Sequence, residues 1–365
     1  MSELEALLLL ENLQGIGWNR SHKLLTHFGS ATAIFKAKPK EWRTVAGLGE
    51  AICYELANWE KYRSLVAQQV EMLDRYAVAF LVYGSTNYPL PLSYCPDAPL
   101  LLFYQGIPQF KKRKIISIVG TRQNTPHGRA FCEQLVEVLY PYNPIICSGL
   151  ARGIDRIAHQ SALHHGLETV ACLAHGLDQL YPPNHQKLSN SIKKRGAIVT
   201  DFLPEATFRK TNFPRRNRLI AGMAHATVVI ESGLKGGSMN TANLAHQYGR
   251  ELFAVPGRYS DYKSQGCHHL IVEQKAQLLS DPKQLLDALG WENQEQQKTV
   301  QKALFVELTP KEKRIVNELK AHFKIHLDGL ALQTQQKIST TAALLLQLEM
   351  KGVVRALPGK YYELI

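Results

Sequence analysis

No dinucleotide fingerprint GxGxxG and no phosphate loop GxxxxGK[ST] occurs in the 365 residues, so the usual encoding of NAD or ATP use is absent. There is no GxSxG elbow and no Cys–His pair of the kind that activates a nucleophile. The six cysteines (Cys53, Cys95, Cys132, Cys147, Cys172 and Cys267) form no CxxC and keep no regular spacing. That excludes a disulfide framework or zinc ribbon and predicts reduced, buried thiols in a cytosolic protein. No apolar run is long enough to span a membrane. The Ala6–Leu10 stretch is short and lacks the basic flank of a signal peptide. A cytoplasmic protein with no membrane partner is expected.

What is present is ordinary in bulk, with 45% hydrophobic and 20% charged residues, enough chain for two or three domains. The formal charge of +12 is unevenly placed. Residues 1–79 hold nine Lys and Arg against nine Asp and Glu, whereas 80–290 hold 23 against 14. The stretch 291–308 has two against three, and 309–365 has nine against five. A polyanionic partner should therefore meet the centre and the C-terminus.

Residues 1–77 read as helical. Gly15-Ile16-Gly17 and Gly47-Leu48-Gly49 each interrupt an amphipathic pattern, which resembles paired helix-hairpin-helix motifs of a small SAM-like or helix-hairpin-helix-like domain. Such hairpins can face a DNA phosphate, but the segment's zero net charge favours a plain packing module over DNA contact. From residue 78 to 290 short apolar runs alternate with helical stretches. Strands are expected at Val78–Tyr83, Leu100–Tyr104, Ile115–Gly120, Pro144–Ser148, Thr169–Ala174, Ala197–Phe202, Thr227–Glu231 and Glu251–Pro256. Helices are expected at His127–Tyr140, Ile154–His165, Asn184–Arg195, Arg216–Met223 and Ser238–Tyr248. Fully apolar strands alternating with helices predict an α/β fold with an extended Rossmann-like parallel sheet. The Gln-rich 291–308 reads as a linker. Thr309-Pro310 then opens a helix, and Lys311–His322, Leu327–Leu332, Lys337–Lys351 and a terminal hairpin predict a C-terminal winged helix at 309–365.

In doubly wound sheets, ligands bind beyond the carboxyl ends of the strands. After Ile115–Val119 comes Gly120-Thr121-Arg122, where glycine admits a phosphate, the hydroxyl donates and the guanidinium can grip two oxygens. The run to Cys147 leads into Ser148-Gly149 and Arg152-Gly153, with Asp155 opening a helix that bears Ala158-His159. The run to Glu231 leads into Ser232, Lys235, Gly236, Gly237, Ser238, Asn240 and Thr241, a second nest of N–H and hydroxyl donors at a helix start. Between them, Phe213-Pro214-Arg215-Arg216-Asn217-Arg218 crowds three cations at the positive end of a helix, an arrangement that an anion would relieve. The competing reading pairs these arginines with acids elsewhere.

Together, Ser117–Arg122, Ser148–Asp155 with Ala158-His159, Leu177-Asp178 with Tyr181-Pro182, Phe213–Arg218, Gly236–Ser238 with Thr241, and Phe253–Gly257 resemble the bacterial DNA-processing protein A (DprA/Smf) family. The resemblance covers nearly the whole chain, including Leu348-Glu349, Lys351–Val353 and Leu357–Gly359 near its end. It implies a dimeric, non-catalytic protein without cofactor that binds single-stranded DNA and loads the RecA recombinase in natural transformation. By position, Gly120, Thr121 and Arg122 would form one wall of the pocket and Arg216, Asn217 and Arg218 the other. Gly237, Ser238 and Thr241 would lie at the base, and Arg215 stands at a variable position. Two departures stand out. Gly266-Cys267-His268 carries His268 where the family usually has Asn, and Gly236-Gly237-Ser238 replaces Ser-Gly-Ser.

Cys267-His268-His269 suggests zinc, yet adjacent residues seldom converge on one ion and no second ligand pair is suitably spaced. A nucleoside monophosphate hydrolase would need a glutamate soon after its glycine loop. Here Ala242, Asn243, His246 and Gln247 follow instead. Asp155 and Glu231 could each orient an arginine or cap a helix. A duplex-reading regulator would need base-reading side chains on Lys337–Lys351, where only Lys337, Gln347 and Lys351 qualify.

Overall fold

The computed structural model describes residues 1–111, 114–291, 308–321, 325–357 and 359–364. Residues 1–291 form one compact unit and 292–365 a second. The expected linker 291–308 lies outside the described residues except for its two end residues. No helix among the described residues is long and apolar enough to cross a membrane.

The first unit is built on nine strands: β1 (Ala79–Val82), β2 (Leu101–Gly106), β3 (Ile115–Val119), β4 (Ile145–Ser148), β5 (Thr169–Cys172), β6 (Ala197–Thr200), β7 (Ala226–Val229), β8 (Glu251–Ala254) and β9 (Gln277–Leu278). Their order across the sheet is β1-β2-β6-β5-β4-β3-β7-β8-β9. Neighbours from β6 through β9 are parallel, and β3 to β7 are buried on both faces, as their unbroken apolar runs require. Two features differ from expectation. β1 pairs with β2, and β2 with β6, antiparallel. No long crossover helix joins β1 to β2, only the four-residue Leu90–Ser93 turn, so the chain returns in the opposite direction. The other is β9, a two-residue edge strand with no apolar run to announce it.

The N-terminal helices cover one face of this sheet. Leu7, Leu8, Leu9 and Leu10 of the Glu3–Asn12 helix share a core cluster with Leu101, Phe103, Ala171 and Ile198. In both Gly-x-Gly units the first glycine turns left-handed (φ +74° at Gly15, +89° at Gly47) and the hydrophobic residue plugs the core. Gly17 and Gly49 then cap the helices Trp18–Phe28 and Glu50–Ala57. All six cysteines are buried and free.

The second unit holds helices Pro310–Ala321, Leu327–Gln333 and Ile338–Met350 with the sheet β10 (Ile325–His326), β12 (Tyr361–Leu364), β11 (Val354–Leu357), the arrangement of a winged helix. Ile315, Leu330, Leu345, Leu348 and Val354 form its core. Thr309 and Glu312 make a reciprocal cap, with Thr309 N donating to Glu312 Oε2 (2.7 Å) and Glu312 N to Thr309 Oγ1 (3.3 Å). Lys351 Nζ donates to Glu312 Oε1 at 2.6 Å, so the first helix and the end of the third are locked together. The lysine and the Thr309 hydrogen bonds hold the Glu312 carboxyl below its usual range.

Candidate nucleic-acid interface

Chain order reverses around β3: β4, β5 and β6 lie to one side of it, β7, β8 and β9 to the other. A crevice opens beyond the carboxyl ends of strands at such a switch point. Three backbone contacts fasten its loops. Thr121 N donates to Glu231 O (2.7 Å), Ile154 N to Thr121 O (3.2 Å), and Gly266 N to Ser232 O (2.8 Å). The result is a cavity of about 430 Å³ lined by Gly120, Thr121, Arg122, Arg216, Asn217, Gly236, Gly237, Ser238 and Thr241, among others. Nine of the residues expected at the site thus converge.

A second cavity of about 310 Å³ shares Arg122, Gln123, Ala151, Phe213 and Arg216 with the first and adds Gly149, Arg152, His175 and Tyr181. The two make one groove. Tyr181, Phe208 and Phe213 pack ring to ring at its side, with centroids 5.3–5.9 Å apart. Arg122 lies 5.4 Å over the Phe213 ring and pairs with no carboxylate among the described residues. Phe208, which local sequence did not single out, stands five positions before Phe213, on the segment that leads into the helix Asn212–Met223.

That helix starts four residues earlier than expected, which places Pro214 at its third position. Its cations separate by helical geometry. Residues three apart share a face, and the next residue turns away by about 100°. Arg216 is buried, and its Nη1 donates to Gly149 O at 2.7 Å and to Cys172 O. Burial draws its pKa down, while the neighbouring Asp155 charge opposes that. Asn217 receives Arg216 Nε (3.2 Å) and donates to Gly237 O (3.3 Å), joining the two walls.

Arg215 and Arg218 do not reach the groove. Both converge on Asp201, Arg215 Nε at 2.9 Å from Oδ2 and Arg218 Nη2 on the same oxygen. They line a separate cavity of about 560 Å³ with Glu11, Trp18 and Asp97, between the N-terminal helices and the sheet. Pairing with an acid therefore describes these two, against the opposite-wall position that the resemblance implied for Arg218. The Asp201 side chain is 2% exposed and that of Arg218 14%. Asp201→Ala strands a nearly buried guanidinium, and we expect it to lower unfolding free energy by about 2–4 kcal/mol, discounted for the half-exposed Arg215. Urea denaturation of the full chain checks this; an unshifted midpoint would contradict it.

Two further expected residues stand outside. Ser148 Oγ is buried and donates to Ile118 O at 2.6 Å, a bond within the sheet. Lys235 is exposed on the glycine loop and lines neither cavity. His159 is also internal; its Nδ1 donates to Thr169 Oγ1 at 2.7 Å, and burial lowers its pKa to about 3. Of the Cys267–His269 triplet, Cys267 Sγ meets Val229 O while His268 Nε2 lies 2.9 Å from Gly257 O, so the two side chains face different partners.

The acids near the groove are engaged by backbone. Asp155 Oδ2 accepts from Gly149 N (3.1 Å) and Ala151 N (3.4 Å); burial raises its pKa, against the pull of Arg216. Glu231 accepts from Thr125 N (2.9 Å) and Thr125 Oγ1, at the start of the helix Pro126–Leu139. By contrast, the helix Gly237–Gln247 has no side-chain cap, and nothing lies within 4 Å of where a Gly237 Cβ would be. Gly237 and Ser238 at its start line the groove, and a helix start without a side-chain cap can take an anion's oxygens.

Fold and site define a Rossmann-like α/β protein with a glycine- and arginine-lined groove at the topological switch point and a winged helix in its second unit. Residues 79–290 match the family model described as DNA recombination-mediator protein A, and 302–360 match the DprA winged helix domain. The chain belongs to this DprA/Smf family. The DNA processing protein DprA of Streptococcus pneumoniae is 39% identical over 186 residues, 51% of this chain and 66% of that protein, so the match spans just under two thirds of its length. Its X-ray structure superposes with a TM-score of 0.68 at 28% identity, over 79% of this chain and 98% of that one. Protein Smf of Synechocystis is 31% identical over 297 residues, 79% of this chain and 73% of the relative. A DNA processing protein A from Helicobacter pylori, described for its single-stranded DNA binding mode, aligns with a TM-score of 0.53 at 28% identity. That alignment covers 58% of this chain and 95% of the other.

Proposed function

We propose that the chain is a non-catalytic, cytoplasmic single-stranded DNA-binding protein that acts as a homodimer. In natural transformation and recombination it protects incoming strands and passes them to the RecA recombinase. The observation that carries this reading is the groove: Arg122, Arg216 and the uncapped Gly237 helix start meet there, and Asp155, the one lining acid among the described residues, is held by backbone N–H groups. Such a surface suits a sugar–phosphate backbone, with bases turned toward Phe213 and Tyr181. The glycine loop supports the non-catalytic reading, since Ala242, Asn243 and His246 follow it where a hydrolase would carry a carboxylate. Duplex readout by the winged helix is disfavoured because Lys351, one of three candidate side chains, is committed to Glu312. For the dimer, the β9 edge and the exposed Val272 and Leu278 offer a surface.

Binding to single strands should exceed binding to duplex and fall steeply with salt. Arg122→Ala, at an exposed position, should weaken single-strand affinity about tenfold and reduce the salt slope by about one, with the melting temperature unchanged. Fluorescence anisotropy across a salt series reads both. Unchanged affinity and slope would remove Arg122 from the interface.

A further inference from the structure

Beyond the glycine loop, outside both cavities, two tyrosines stand in solvent: Tyr259 is 92% exposed and Tyr262 67%. Large aromatic rings left this open bury little area in the monomer, so packing accounts for little of their presence. They sit on a turn with a defined frame. Asp261 N donates to Arg258 O (3.0 Å) and Ser264 N to Asp261 O (2.9 Å), while His268 Nε2 reaches Gly257 O at the turn's base. His268, the departure from the family's usual residue, thus anchors the start of this turn. The far end is anchored too, through Gly266 N on Ser232 O.

The turn is continuous with the groove. The Tyr262 ring lies against Gly233, with Cε1 only 3.1 Å from where a Gly233 Cβ would be, and Gly233 lines the groove from the other side. Cations adjoin the rings in sequence, Arg258 before Tyr259 and Lys263 after Tyr262, and exposed Lys235, which lines neither cavity, follows Gly233 by two residues on the glycine loop. Asp261 is the one acid on the turn.

We propose that Tyr259 and Tyr262 form a stacking platform for bases of a single strand leaving the groove over the glycine loop, with Lys235, Arg258 and Lys263 meeting its phosphates. The inference rests on the strand-binding reading of the groove and extends it by one subsite. Exposed rings between cations suit a polyanion that also carries π faces. A second copy of this chain would bring the same cations against themselves. Stacking of this kind tolerates any base and adds length-dependent affinity without sequence readout.

The test is a cycle of protein and strand changes on the full chain. Anisotropy is measured with an oligothymidylate long enough to run past the groove and with the same strand made abasic. Tyr259→Ala is the cleaner variant because its side chain is the more exposed of the two; Tyr259→Ala/Tyr262→Ala removes the platform. With thymidylate, each lost ring should weaken binding by roughly tenfold. On the abasic strand wild type and variants should converge, and Tyr259→Phe should bind thymidylate like wild type. Equal thymidylate affinity for wild type and the double variant, while Arg122→Ala is impaired, would overturn the platform and leave the groove standing. Loss of the same size on both strands would also overturn it, since no base would be involved. A changed sedimentation coefficient with unchanged strand affinity would assign the rings to a copy of the chain instead. Failure of wild type to bind either strand would overturn platform and groove together.

Discussion

Arg216→Ala is expected to cost both stability and strand binding, unlike Arg122→Ala. The Arg216 side chain is buried, spans from the helix Asn212–Met223 to Gly149 O and Cys172 O, and lies beside the buried Asp155. Truncation leaves two carbonyls without their donor and a buried carboxylate without its nearby cation. Breaking one side of such an arrangement costs about 3–5 kcal/mol. Asn217, which accepts from Arg216 Nε, loses part of what orients it toward Gly237. Binding should therefore fall by more than the single charge accounts for. Guanidine denaturation measures the first effect and anisotropy well below the melting transition the second. Arg216→Lys should recover little of either, because an ammonium cannot reproduce the planar fork that serves two carbonyls. A wild-type melting curve for Arg216→Ala would refute the structural role given to this side chain.

Gly153→Ala should be comparably severe, for a backbone reason. Gly153 caps the helix Ile154–His164 at φ +76°, ψ −131°, a region that side chains rarely enter. A Cβ there would lie 2.2 Å from Thr121 O and 2.7 Å from the Arg122 backbone. Strain and overlap together imply a loss of roughly 2–5 kcal/mol. Relief can come only by moving Thr121 and Arg122, so strand affinity should drop as well. Gly237→Ala supplies the contrast. Its φ is unstrained and nothing lies within 4 Å, so the added methyl should leave the melting temperature within a degree or two of wild type. The same methyl stands at the groove wall and should hinder close approach of a phosphate. If Gly153→Ala folds and binds like wild type, the contact between the two loops does not govern the site.

Much of the site was legible because its residues punctuate local structure. Gly120, Gly149, Gly153 and Gly236 end strands and open helices, and a Cβ at any of them would lie within 3 Å of a neighbour. Arg122 comes three residues after the end of β3, so its place at the mouth of the groove follows from the strand and the short Gly120-Thr121 turn. The arginine cluster was less legible. Counting charge put Arg215, Arg216 and Arg218 together, although the three-residue spacing of Arg215 and Arg218 already placed those two on one helical face. Asp201, which claims both, lies on the segment after β6 and carries no local mark of that role. Phe208 and Tyr181 likewise become neighbours only when two loops meet.

By itself, then, the sequence determined the buried strands β3 to β7 and the glycine turns, since periodicity, side-chain volume and backbone freedom act over a few residues. Only the tertiary structure decided the direction of β1 and β2, the division of the arginines between groove and Asp201, and the placing of Tyr262 against Gly233. Those depend on partners far apart in the chain, which are chosen by packing and charge compensation across the fold, and no local pattern encodes that choice.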